Sequence, residues 1–369
     1  MAHLQMAAER AHLARAIALA ESARGVSSPN PPVGCVLVAD GRVVGEGATR
    51  PVGGPHAEAV ALARMRPGTG QDSGDLAAYV TLEPCAHVGR TPSCAEALVD
   101  AGVTRVVIGR SDPHRVAAGG ADRLRAAGVT VDILDHDDPY LRALEDPLAG
   151  HLSVSMLGRP HVTLKLAQTV SGALVRDDGG WVTGSAARRA VHRLRATVDG
   201  LLVGSGTVLS DDPRLDVRGD DGRAKPGRQP RAVVFDTDLR TPVTARVVRE
   251  GTIVVTSTAD AGHLEDRGVD VVCVERSGAH VDLAAAMRAL VDRGVTTLLA
   301  EPGRTLADAL VVHELVDRLV LHVADGPGTL QAAVEVDARW ELERLGGVGP
   351  DAVLQWRHLR PVTAEDRAA

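Results

Sequence analysis

Four side chains in the first hundred residues could do chemistry together: His56 and Glu58 in a His-Ala-Glu triplet, Cys85 behind Pro84, and Cys94. One imidazole and two thiolates suit Zn²⁺. Three protein ligands leave one tetrahedral position open, which is the arrangement of a catalytic site and not of a closed structural one. Glu58, beside the ligands without being one of them, would then move protons to and from the water that the metal activates. Hydrolytic removal of an amine from a nucleobase ring is the reaction this set suits. A lone surface His or a buried Cys is ordinarily structural. Four such residues in this order point to a site.

The elements that must position them can be read locally. Gly53-Gly54-Pro55 turns the chain, and Pro55 suits the start of a helix, so His56 and Glu58 fall in the first turn of an Ala-rich helix over 57–66. Ala77-Ala78-Tyr79-Val80-Thr81-Leu82 reads as a strand running into Glu83-Pro84-Cys85. A helix over 94–101 follows. Helix 4–23, strands 33–38, 43–47, 103–109 and 129–134 complete a mixed sheet with helices on both faces. The second half restarts with a strand at 161–166. Further strands are expected at 200–204, 231–235, 251–256, 269–274, 296–300 and 318–323. The polar stretch 135–157 separates the halves, placing one domain at 1–150 and a second at 151–369.

Composition narrows the function classes. The chain has 369 residues, 44% apolar, with a net charge of −7. Only Lys165 and Lys225 are lysines among 41 basic residues, and aromatics make up 2%. That leaves neither a polycationic footprint nor stacking platforms for a nucleic acid. No apolar run approaches the ~18–20 residues that span a bilayer, and the N-terminal stretch lacks a secretory apolar core, so a cytoplasmic protein without membrane partners is expected. Four cysteines fit a reducing compartment. Cys35 and Cys273 lie in strand-like runs and read as core residues.

Eight residues separate the two cysteines where the general deaminase signature has two. With Asn30-Pro31-Pro32-Val33-Gly34, His56-Ala57-Glu58 and the run Thr81-Leu82-Glu83-Pro84-Cys85-Ala86-His87-Val88-Gly89-Arg90-Thr91-Pro92, the chain closely resembles the bifunctional deaminase–reductase family of riboflavin biosynthesis, over nearly its whole length. The resemblance implies a cytidine-deaminase-like first domain and a dihydrofolate-reductase-like α/β second domain. It implies one Zn²⁺ per chain on His56, Cys85 and Cys94, with Glu58 as the catalytic proton carrier. The substrate would be a phosphoribosylaminopyrimidine, read by Asn30, His87 and Arg90. Homo-oligomers are compatible with this reading.

For the second half the resemblance rests on Gly204-Ser205-Gly206-Thr207-Val208-Leu209-Ser210-Asp211-Asp212-Pro213-Arg214-Leu215-Asp216-Val217-Arg218. It implies NADPH at Gln168, Trp181, Thr207, Asp211, Gly303, Thr305 and Leu306, and the deaminated substrate at Lys165, Arg195, Leu215, Arg218 and Glu301. Arginine forks suit phosphate oxygens in such a site. The chain departs from the family pattern at His114, Ser171, Gly179 and Pro302, the last of which lacks a backbone N–H. The alternative to a bifunctional enzyme is a deaminase whose second domain only binds nucleotide or joins chains.

Overall fold

The computed structural model describes residues 2–65, 75–87, 93–114, 117–135, 138, 140–174, 180–325, 330–331 and 333–359. The chain forms two compact units, divided in sequence between Gly158 and Arg159. The first contains α1 (Ala2–Ala23), β1 (Gly34–Ala39), β2 (Arg42–Ala48), α2 (Ala57–Ala63), β3 (Leu76–Val80), α3 (Cys94–Asp100), β4 (Arg105–Ile108), α4 (Gly120–Ala126), β5 (Thr130–Ile133) and α5 (Leu141–Leu157). A division at residue 150 would cut α5. That helix runs on through Pro147 to a left-handed Gly158 cap, and buries Leu144 with Leu13 and Ile17 of α1.

The first sheet has the order β2-β1-β3-β4-β5, antiparallel from β2 to β3 and parallel from β3 to β5. Strand alternation sends side chains to two cores. Cys35 and Leu37 of β1 pack with Ala57 and Ala61 of α2 and with Leu98 of α3. Val36 and Val38 pack on the opposite face with Ala16 of α1. The expected mixed sheet with helices on both faces is what forms.

In the second unit the parallel strands are β6 (His161–Gln168), β7 (Gly200–Gly204), β8 (Arg231–Phe235), β9 (Ile253–Thr256), β10 (Asp270–Cys273), β13 (Thr297–Ala300) and β14 (Arg318–Val323). Between them lie α6 (Ser185–Arg195), α7 (Ser205–Asp211), α8 (Gly262–Glu265), the small hairpin β11 (Arg276–Ser277) and β12 (His280–Val281), α9 (Leu283–Val291) and α10 (Arg304–Val312). A long antiparallel hairpin, β15 (Trp340–Val348) and β16 (Asp351–His358), completes the sheet order β10-β9-β8-β7-β13-β6-β14-β16-β15. One sheet face buries Val162, Leu164 and Leu166 with residues of α9 and α10. The other buries Leu201, Val203 and Leu299 with Val208 and Leu264.

One sequence expectation is corrected here. Cys273 is exposed, because β10 is the sheet's edge strand and alternation turns Val272 inward instead. Among the described residues, no helix is long and apolar enough to cross a membrane.

Candidate active sites

In the first unit α2 opens at His56, which stands in extended conformation as its N-cap, while Glu58 sits buried in the first turn. Cys85 follows β3 on a loop. Cys94 is the first residue of α3, whose start is fixed by a capping box: Ser93 accepts from the Glu96 N–H, and Glu96 accepts from the Ser93 N–H. These elements converge. The ligand atoms of His56, Cys85 and Cys94 all lie within 4.8 Å of one another. His56 Nδ1 is 3.4 Å from Cys94 Sγ and 3.8 Å from Cys85 Sγ. A tetrahedral zinc with ordinary Zn–S and Zn–N bonds needs an N···S edge of about 3.6 Å. The donor set fits.

The electrostatics suit a thiolate site. The Cys94 N–H points at Cys85 Sγ at 3.4 Å. The hydrogen bond from the Cys94 thiol, with a second from His56, holds the Cys85 thiol well below its ordinary value, while the same Cys85 bond and burial push Cys94 up. Of two thiols this close, one ionises first; a dication would remove the second proton as well. Burial raises the Glu58 carboxyl above the ordinary range, which suits a group that must both accept and return a proton. Cys35 lies behind Glu58 in the core, its thiol raised by burial and then by the Glu58 charge.

Asn30 is held in a turn in which its N–H donates to the Ser27 carbonyl and its own carbonyl accepts from Ser27 Oγ. Its side-chain amide makes no hydrogen bond to the chain among the described residues. His87 is exposed. Arg90 lies outside the described residues.

The second unit holds a polar cluster and a crevice. Lys165 of β6, Glu301 beyond β13 and Arg195 at the end of α6 interact electrostatically. Arg195 grips Glu301 with two bonds, of 2.7 and 3.1 Å, and donates a third to the Asp216 carbonyl. Burial alone would push the Glu301 carboxyl up, but Arg195 and then Lys165 outweigh it and hold Glu301 below its ordinary value. Among the described residues Lys165 makes no side-chain hydrogen bond or ion pair, and burial draws its ammonium down. Arg218 pairs with Asp216 at 3.0 Å and donates its N–H to His192 Nδ1.

The crevice, of about 730 Å³, opens at the C-terminal ends of β7, β8 and β13. In open parallel sheets ligands bind there. Thr207, Gly303, Thr305 and Leu306 line it, together with Arg240 and Arg304. Gly303 is the N-cap of α10 and has no side chain to cap with; its own N–H donates to Thr207 Oγ1 at 3.2 Å, and the N–H groups that follow it begin the helix at the crevice wall. Pro302 is buried and not part of the lining, so its missing N–H falls outside the crevice wall.

Several expected residues are placed elsewhere. The Gln168 amide is engaged by the chain: it donates to the Thr169 and Gln331 carbonyls and accepts from the Ala333 N–H. Leu215 is buried in the core, in a left-handed turn that sends its side chain inward. Trp181 is 75% exposed beneath the Arg188 guanidinium, and neither it nor the exposed Asp211 lines the crevice. Sequence reasoning missed His192, which acts on Glu301, Asp216, which acts on Arg195, and His322, which lies under the charges of Lys165 and Glu301. For His192 the spacing to Arg195, one helical turn on the same face, was the available signal.

Comparisons with known proteins agree with both halves. Residues 6–110 match the cytidine and deoxycytidylate deaminase zinc-binding region, and residues 160–328 match the RibD C-terminal domain. The chain is 36% identical over 365 residues to riboflavin biosynthesis protein RibD of Escherichia coli (strain K12), spanning 93% of this chain and 97% of that one. It is 38% identical over 349 residues to the protein of that name from Mycobacterium tuberculosis (strain ATCC 25618 / H37Rv), spanning 90% and 92%. Acinetobacter baumannii RibD superposes with a TM-score of 0.82 at 32% identity, covering 96% of this chain and 99% of that one. A diaminohydroxyphosphoribosylaminopyrimidine deaminase/5-amino-6-(5-phosphoribosylamino)uracil reductase from Thermotoga maritima does so with 0.80 at 29%, covering 95% and 99%. The chain belongs to the RibD family of riboflavin biosynthesis proteins, which joins a zinc-binding deaminase domain to a reductase domain.

Proposed function

We propose that the first unit hydrolyses the 2-amino group of 2,5-diamino-6-(5-phosphoribosylamino)pyrimidin-4-one, and that the second reduces the ribosyl chain of the product with NADPH. The observation that carries this reading is the His56–Cys85–Cys94 triangle with Glu58 buried beside it. Zinc, when bound to these three, supplies Lewis acidity and a nucleophilic water at neutral pH. The rest is the work of side chains. Glu58, its carboxyl raised by burial, takes one proton from the water as it attacks the amidine-like carbon and passes it to the ring nitrogen, then carries the second proton from the added hydroxyl to the amino group, which leaves as ammonia. Asn30 and His87 offer polar groups for the base and the ribose phosphate.

In the second unit NADPH, when bound in the crevice, supplies the hydride. The α10 N-terminus, Thr207 and Arg304 would hold its phosphates and Arg240 adds positive charge. Arg195 fixes the Glu301 carboxylate in one orientation. That leaves Lys165 as a cation for the opened ribosyl phosphate, with Arg218, which also pairs with Asp216, as a second. Positioning supplies most of what hydride transfer requires.

Product analysis by mass, with and without NADPH, tests both steps. We expect loss of ammonia in either case and a further gain of two hydrogens only with NADPH. Glu58→Gln should slow deamination by ~10²–10⁴-fold while reduction of the already deaminated substrate is unchanged. Ammonia release without NADPH turnover would leave a deaminase with a nucleotide-binding second domain.

A further inference from the structure

The spacing of the cysteines poses a positional problem. With two residues between them, one turn of backbone sets the S···S separation. Here eight residues intervene, so each sulfur needs its own anchor. Cys94 has one, the capping box at the start of α3. Cys85 stands on a loop past the end of β3, and what fixes that loop is α4 and the segment leading into it.

Glu83 is the connection. Its side chain is 8% exposed and accepts three backbone N–H bonds: from Asp112 on one carboxylate oxygen at 3.1 Å, and from Gly119 and Ala121 on the other at 3.1 and 2.9 Å. Its own N–H donates to the Arg110 carbonyl. Bonds from backbone N–H groups to a buried carboxylate are among the stronger hydrogen bonds a protein makes. Three residues on, the Ala86 N–H donates to the Ala117 carbonyl, and Arg123 of α4 donates to the Ala86 carbonyl at 2.6 Å while pairing with Glu96 of α3. Pro84 is pressed against α4 so closely that a Cβ at Gly120 would lie 1.7 Å from the Pro84 carbonyl oxygen. Cys85 is therefore bracketed on both sides by bonds to one short segment. The same Cys85 carbonyl accepts from the Ala95 N–H, which links the bracket to the second sulfur's helix.

We infer that Glu83 is a positioning residue for the metal centre: by tying Asp112, Gly119 and Ala121 to the end of β3, it sets where the Cys85 sulfur stands relative to His56 and Cys94. The inference rests on the zinc reading above. Groups that orient metal ligands from outside typically change metal affinity or activity by 10–100-fold when removed. Glu83→Gln is the informative change, because an amide has one acceptor where the carboxylate has two. In either orientation its NH₂ meets a backbone N–H.

The test uses the full chain and zinc or Co²⁺ alone as probes. Wild-type protein is expected to carry one zinc. Glu83→Gln should lose zinc to a chelator at least tenfold faster, and its Co²⁺ form should show shifted visible absorption bands. Its kcat for ammonia release should fall at least tenfold with KM changed less than about threefold, since the substrate contacts stay in place. NADPH-dependent reduction by the second unit, unchanged, serves as the control for intact protein. Should Glu83→Gln fail to fold, Gly120→Ala presses on the same bracket from the α4 side with Glu83 intact, and the same spectral shift and faster release are expected. Unchanged release and an unchanged Co²⁺ spectrum in the variant that folds would overturn the inference. Wild-type protein without zinc or ammonia release would instead overturn the zinc reading itself.

Discussion

At the scale of the residue, the second unit contains a histidine in an unusual position. His322 is 1% exposed on β14, and among the described residues neither ring nitrogen has a hydrogen-bond partner. Burial, and then the Lys165 charge on the neighbouring strand, lower its pKa to about 4, against Asp351 and Glu301, which pull the other way. A base depressed in the folded state binds its proton more readily when the chain unfolds. The unfolded form therefore gains as pH falls below the ordinary value near 6.5, and the loss is complete once pH passes below the folded-state value. A fall from 6.5 to about 4 corresponds to up to about 3 kcal/mol. All three tryptophans, Trp181, Trp340 and Trp356, lie in the second unit, so their fluorescence reports its unfolding alone. Urea unfolding followed in this way should show His322→Leu losing less stability than wild type between pH 7 and 4.5. Equal losses would mean that His322 titrates normally.

At the scale of the element, α2 must be held down for His56 and Glu58 to meet the cysteines, and two glycines of β2 do this. A Cβ at Gly47 would lie 2.1 Å from the Ala57 carbonyl oxygen, and one at Gly45 2.5 Å from that of Ala61. Backbone lies against backbone there, so no flexible side chain can give way. Gly47→Ala should lift the start of α2 and cost on the order of 1–3 kcal/mol, with zinc content and ammonia release both falling. Gly262→Ala, where an added Cβ meets nothing within 4 Å, is the control and should stay within ~0.5 kcal/mol. Retained zinc and full deamination in Gly47→Ala would show that α2 has room to move.

The same elements show what could be read beforehand. Helix α2 was legible because Pro55 and an alanine-rich run mark it, and the donor set because its residue types and order suit one metal. Helix α4 was not. It opens on Gly119-Gly120 and spans seven residues, too few for a 3.6-residue period to stand out. The β15–β16 hairpin escaped because Glu341, Leu342, Glu343 and Arg344 carry no clean alternation, Leu342 and Leu345 being exposed at the sheet edge. Residues of the reductase cluster were legible only through resemblance, since isolated charges such as Lys165 and Arg218 have no local signature. Gln168 and Leu215 show the limit of that route: a matched position does not say whether the side chain points to a ligand or into the core.

At the scale of the molecule, the deaminase and reductase elements are folded around separate cores. Leu37, Leu98 and Leu124 belong to one, Leu164, Leu298 and Leu321 to another, and the zinc ligands lie wholly in the first unit. A ligand that binds only folded protein stabilises the unit that holds it, by ~4 kcal/mol at a thousand times its Kd. For a unit of this size that is a shift in midpoint on the order of 10 °C. Stripping zinc with a chelator should therefore lower one phase of a melt followed by far-ultraviolet circular dichroism, while the tryptophan-reported transition stays in place. Saturating NADPH should do the converse, raising the tryptophan transition and leaving the zinc-dependent phase where it was. One transition that moved as a whole with either ligand would show that the two units unfold together, and that their separate cores do not make them separate folding units.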